Sequence, residues 1–141
     1  MDRLVQTRTV KWGDCDPAGI LYTPRVFDYI TEAVEAWFGA IGGIPWMELI
    51  AAGQGAPTVH TAVDFRTPME PGLRLNVSVL LEKLGGSSLG FRVLGDGEDG
   101  TRYFEGKLVS VTTDFATRRS IPIPAELRSR AEAYAAVHSA D

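Results

Sequence analysis

Apolar residues fall into two rhythms along the chain. From residue 24 to about residue 41 they recur three and four apart, at Phe27, Ile30, Val34, Trp37, Phe38 and Ile41. That spacing gathers them on one face of a helix wide enough to meet a core. Thr23 followed by Pro24 reads as an N-cap with proline in the first helical position, where a missing N–H costs nothing. Gly42-Gly43 ends the segment. A short second helix is expected over 46–52 after Pro45. A last one is expected from 124 to about 137, with Leu127, Ala131 and Tyr134 inward.

Elsewhere the rhythm is two. Leu73, Leu75, Val77, Val79 and Leu81 alternate with mostly polar neighbours, a strong strand signal. Val59, Thr61, Val63 and Phe65 set His60, Asp64 and Arg66 on the opposite face of another strand. Leu89, Phe91 and Val93 mark a third strand, 103–113 a fourth, and the weaker alternation over 4–12 the first of the chain. Gly85-Gly86-Ser87 and the glycine-rich run 95–100 read as hairpin connections. A strand, a long helix and then four hairpin-linked strands make an α+β fold rather than a parallel βαβ sheet. The expected architecture is a curved antiparallel five-stranded sheet wrapped round one long helix. One helix cannot cover both sheet faces, so an uncovered face or edge is expected to meet another subunit.

The 141 residues are read as one domain, 1–141. Fourteen basic side chains against eighteen acidic ones leave a net charge of −4, the wrong sign for a dedicated nucleic-acid binder. A single cysteine, Cys15, rules out an internal disulfide and a multi-cysteine metal site. The first nine residues carry charges rather than an apolar leader, and no run approaches the ~20 apolar residues of a membrane span. The expected setting is cytoplasmic, without membrane contact.

The chemistry concentrates in Gly13-Asp14-Cys15-Asp16-Pro17-Ala18-Gly19, just ahead of the long helix. Helix N-termini present unpaired N–H groups and a positive dipole end, suited to polarising a carbonyl oxygen. A nearby carboxylate can attack that carbonyl or activate a water against it. Plain turn chemistry accounts for the same residue types. Two other motifs fail on context. Gly86-Ser87-Ser88-Leu89-Gly90 matches the serine-hydrolase elbow, but a strand follows where a helix is required. Gly95-Asp96-Gly97-Glu98-Asp99-Gly100 matches a phosphate-loop spacing, but it is acidic and also leads into a strand. His60 reads first as a structural histidine, since nothing orients it as a base; Asp64 shares its face but stands roughly 13 Å along the strand. Cys15 has no cationic neighbour to activate it.

The run Gly13-Asp14-Cys15-Asp16-Pro17-Ala18-Gly19-Ile20-Leu21-Tyr22-Thr23-Pro24, continued by Phe27-Asp28-Tyr29, Pro45-Trp46 and Pro57-Thr58-Val59-His60, resembles the 4-hydroxybenzoyl-CoA thioesterase family of the hotdog-fold superfamily. The resemblance implies a hotdog fold and hydrolysis of an acyl-CoA to free acid and CoA. It implies Asp16 as nucleophile or general base and the backbone N–H at Thr23 as the group polarising the thioester carbonyl. Tyr22, Pro24 and His60 are the expected substrate-binding residues. No metal or cofactor is implied. The expected partners are the acyl-CoA substrate and further copies of the chain, as a dimer or homotetramer. An aromatic, benzoyl-type acyl group is the first expectation. The hairpin Leu84-Gly85-Gly86-Ser87-Ser88 lacks the basic cluster some relatives show there, which keeps an acyl-carrier-protein substrate open. Short or branched aliphatic acyl groups, a binder that does not hydrolyse, and a hydrolase using Ser88 are the alternatives.

Overall fold

The computed structural model describes residues 1–139. In chain order the elements are β1 (Leu4–Thr9), a 3-10 turn (Trp12–Asp14), α1 (Arg25–Ala40), α2 (Trp46–Ala51), β2 (Gln54–Gly55), β3 (Thr58–Phe65), β4 (Arg74–Leu84), β5 (Ser88–Gly97), β6 (Arg102–Val111), β7 (Thr113–Asp114), β8 (Arg119–Ser120) and α3 (Ala125–Val137). Five strands form one antiparallel sheet in the order β1-β4-β5-β6-β3. The α+β architecture therefore stands, with the expected five strands.

Period two sorts the sheet's side chains. Leu75, Val77, Val79 and Leu81 of β4 join Leu89, Phe91 and Val93 of β5 and Phe104 and Leu108 of β6 in the core. Against this face lies α1, whose Val26, Tyr29, Ile30, Ala33, Val34, Trp37 and Phe38 are buried. The helix ends as its glycines dictate. Gly42 N–H donates to Trp37 and Ile44 N–H to Phe38, with Gly43 at φ +75°, a conformation that costs other residues a Cβ clash.

Three expectations need correcting, and one small sheet was not expected. The sheet is not wrapped round one long helix alone, for the expected C-terminal helix, with its three residues inward, shares the core. Leu127, Ala131 and Tyr134 of α3 belong to the same core, and Tyr134 packs edge-on against Trp37 at 5.8 Å between ring centres. Thr23 is not a side-chain cap. The chain enters α1 through a turn in which the Tyr22, Thr23 and Pro24 carbonyls accept from Arg25, Val26 and Phe27. Pro24 itself occupies the cap position, already helical at φ −63°, ψ −21°. The run 95–100 is not all hairpin. β5 continues through Gly97, because the Phe104 ring lies over Gly95, where a Cβ would stand 2.0 Å from it. Finally, β2, β7 and β8 form a small three-stranded sheet that no periodicity announces, since each strand is two residues long.

Candidate active site

The loop before α1 is folded back on itself. Cys15 and Leu21 form an isolated antiparallel bridge. Asp16 N–H donates to Ile20 at 3.0 Å, Gly19 N–H to Asp16 at 2.9 Å, and Tyr22 N–H to Asp14 at 2.9 Å. Pro17, Ala18 and Gly19 make the turn that permits this, with Gly19 at φ +81°. Leu21 N–H also reaches the carbonyl of Met69 at 2.8 Å, which fixes the loop to the segment after β3. Asp14 thus lies beside Tyr22 and Asp16 beside Ile20, on the segment that runs on into Thr23 and Pro24.

Asp16 is half-buried. Its Oδ1 accepts from Ala18 N–H at 2.9 Å, an Asx turn that sets the carboxylate's orientation. Its second oxygen has no hydrogen-bond partner among the described residues. Thr23 N–H likewise donates to no acceptor among them, and it stands at the positive end of α1. A cleft of about 280 Å³ opens there. One wall is Ile20, Leu21 and Thr23; the other is Phe65, Arg66 and Met69. Asp16 is not among the lining residues; it sits on the turn whose returning arm, Ile20 and Leu21, forms part of the wall. An unpaired N–H at a mainly apolar cleft is suited to polarising a carbonyl, with a carboxylate on the adjoining turn.

His60 is not part of this group. It lies exposed on β3, paired in register with Val109. Phe65, five residues on and so roughly 17 Å further along the strand, is the β3 residue that reaches the cleft. Within one chain His60 meets neither Asp16 nor Thr23, because it stands at the far end of an edge strand. Ser88 begins β5 and no helix follows it, so the strand context required of a serine-hydrolase elbow fails as expected. The Cys15 thiol is pushed up in pKa, chiefly by desolvation and then by Asp14 and Asp16, which leaves it protonated and unreactive at neutral pH. Among the described residues, no three His, Cys, Asp or Glu side chains gather into a possible metal cluster.

The far wall of the cleft escaped sequence reasoning. Phe65, Arg66 and Met69 lie more than forty residues from Thr23, and only the β3–β6 pairing and the Leu21–Met69 bond bring them near. The turn-rich segment 67–72 was the signal available, and it says nothing of what it faces.

Residues 10–131 match the family model of the thioesterase-like superfamily. The chain belongs to that superfamily. A solved superfamily member from Jannaschia sp. CCS1 is 33% identical, with a TM-score of 0.85 over 94% of this chain and 92% of that one. A solved gentisyl-coenzyme A thioesterase is 26% identical, with a TM-score of 0.81 over 88% of this chain and 98% of its own. A 1,4-dihydroxy-2-naphthoyl-CoA hydrolase of Picosynechococcus sp. is 32% identical over 96 residues, 65% of this chain and 64% of that protein. The chain thus spans a little less than two thirds of that hydrolase's length. The superfamily match begins at Val10 and takes in the whole Asp16 loop, α1 and the large sheet from β3 to β6.

Proposed function

We propose that this protein is an acyl-CoA thioesterase with Asp16 as its reacting carboxylate. The observation that carries the reading is a cleft at the start of α1 that Thr23 lines, its N–H without an acceptor among the described residues, next to the turn that holds the Asp16 carboxylate. The thioester carbonyl oxygen accepts from Thr23 N–H, and charge developing on it meets the dipole end of α1. Asp16 attacks the carbonyl carbon or takes a proton from the water that does. The C–S bond breaks, the thiol leaves with a proton, and water supplies the second oxygen of the acid. Tyr22 and Pro24 flank Thr23 in the chain and are the substrate-binding neighbours this reading assigns.

An aromatic acyl group is the preferred substrate, as in the 4-hydroxybenzoyl-CoA thioesterase family. Two relatives support this, since their names specify 1,4-dihydroxy-2-naphthoyl and gentisyl thioesters, both hydroxylated aryl acids. The working form is a homo-oligomer of single-domain chains. In it His60 of one chain is free to meet a neighbour's cleft, which its exposed position on β3 allows.

Thiol release from benzoyl-, 4-hydroxybenzoyl-, phenylacetyl- and aliphatic acyl-CoAs tests the proposal, with wild type beside Asp16→Asn. Turnover on aryl thioesters is expected, falling at least ~100-fold in kcat in the variant. Undiminished kcat in Asp16→Asn removes Asp16 from the chemistry. Exclusive turnover of aliphatic thioesters overturns the aryl assignment alone.

A further inference from the structure

The loop that carries Asp16 is tied to α1 by a residue that the chemistry above does not use. Tyr29, the fifth residue of α1, is 1% exposed. Its hydroxyl donates to Asp14 Oδ2 at 2.7 Å. The same oxygen lies 3.4 Å from Lys11 N–H, while the Asp14 carbonyl accepts from Tyr22 N–H. Asp14 therefore joins the two ends of the loop, and Tyr29 joins Asp14 to the helix. Arg8 of β1 covers the Tyr29 ring, its guanidinium carbon 3.9 Å from the ring centre, and pairs in turn with Glu32 of α1. Burial first, and then the Asp14 carboxylate, push the Tyr29 phenol well up in pKa, with Arg8 opposing. The phenol is consequently a standing donor and the carboxylate its acceptor.

The Asx turn fixes the Asp16 side chain relative to its own loop. It does not fix the loop relative to the Thr23 N–H. Backbone bonds to Ile20 and Tyr22 tie the loop to the segment entering α1, and Tyr29–Asp14 adds a part-buried, charge-assisted tie to the helix itself. We propose that Tyr29 is a positioning residue, whose bond to Asp14 holds the Asp16 carboxylate at its working distance from the carbonyl polarised by Thr23. The proposal rests on Asp16 being the reacting carboxylate.

The test is steady-state kinetics on an acyl-CoA that wild type hydrolyses. Tyr29→Phe keeps the ring, its burial and the Arg8 contact, and deletes only the hydroxyl. It is expected to lower kcat roughly 10- to 100-fold with KM within about twofold, the signature of lost alignment rather than lost binding. Asp14→Ala is expected to match it. The double variant should be no worse than Asp14→Ala alone, because the Tyr29–Asp14 bond is already absent there. Asp14→Asn keeps an acceptor oxygen and should restore most of the kcat that Asp14→Ala loses. Full kcat in Tyr29→Phe beside an inactive Asp16→Asn overturns the proposal alone, as do losses that multiply in the double variant. Full kcat in Asp16→Asn overturns the reading of Asp16 and this proposal with it. Amide hydrogen exchange reads the loop without turnover. Exchange at Ala18 and Tyr22 should quicken in Tyr29→Phe, and unchanged rates overturn the proposal.

Discussion

Two buried tyrosines hold the ends of this fold, and each uses its hydroxyl to cross between elements. Tyr29 bonds the Asp16 loop to α1. Tyr134 sits between β1 and β4: its hydroxyl accepts from Leu4 N–H and donates to the Val79 carbonyl, where Leu4 and Val79 are register partners. Tyr134→Phe leaves both backbone groups without that partner and is expected to cost about 1–3 kcal/mol per orphaned group, read by urea unfolding. Both phenols are shifted upward, in each case mainly by burial. A raised folded-state value means the protonated form is favoured in the native state. The stabilisation is therefore complete below the ordinary tyrosine value of 10.0 and is lost as pH rises above it. Unfolding free energy measured from pH 8 to 11.5 should hold steady and then fall steeply beyond 10. The fall should be shallower in Tyr134→Phe, and an equal slope in both proteins would contradict the assignment.

Among the elements, α1 was the most legible, because its apolar spacing is dense and its ends carry glycine and proline. Its core role makes a clear expectation. Trp37 is fully buried against Phe38, Phe91 and Tyr134, with ring centres 5.5, 4.9 and 5.8 Å away. Trp37→Ala should cost about 3–5 kcal/mol in unfolding free energy. Trp37→Phe should cost distinctly less, since the indole Nε1 has no acceptor to lose and an aromatic contact survives. The strands were legible where alternation ran long, as in β4. They were not where a local feature overrode composition: the glycines of β5 looked like a turn, yet the Phe104 ring over Gly95 makes them strand. The candidate site divides the same way. Asp16 and Thr23 were readable because the motif is contiguous. The Phe65–Met69 wall and the Tyr29–Asp14 bond were not, since both depend on which segments the sheet brings together, and no local pattern encodes that.

At the scale of the whole molecule the sheet is open at both edges, β1 and β3, and the β3 edge is the more exposed. Among the described residues β3 pairs only with β6, and apart from half-buried Val63 all of its residues are exposed, including Val59 at 62% and Phe65 at 44%. An eight-residue edge with apolar side chains on it is a template for another strand. The bulge between Thr58 and His60 disrupts only its first residues. Phe65 also lines the cleft beside Thr23, so a neighbour seated on this edge would stand next to the cleft. Covering β3 with a second copy of the chain satisfies its free backbone groups and brings another His60 into the neighbourhood. Equilibrium sedimentation should therefore give a mass at least twice the 15.3 kDa of one chain. Val59→Lys places a charge on the exposed edge without touching the cleft residues, and it should shift the equilibrium toward the monomer. Specific activity of the variant should then rise with protein concentration over the range in which its mass rises. A wild-type protein that sediments as a monomer at full activity would show that the cleft works with β3 uncovered.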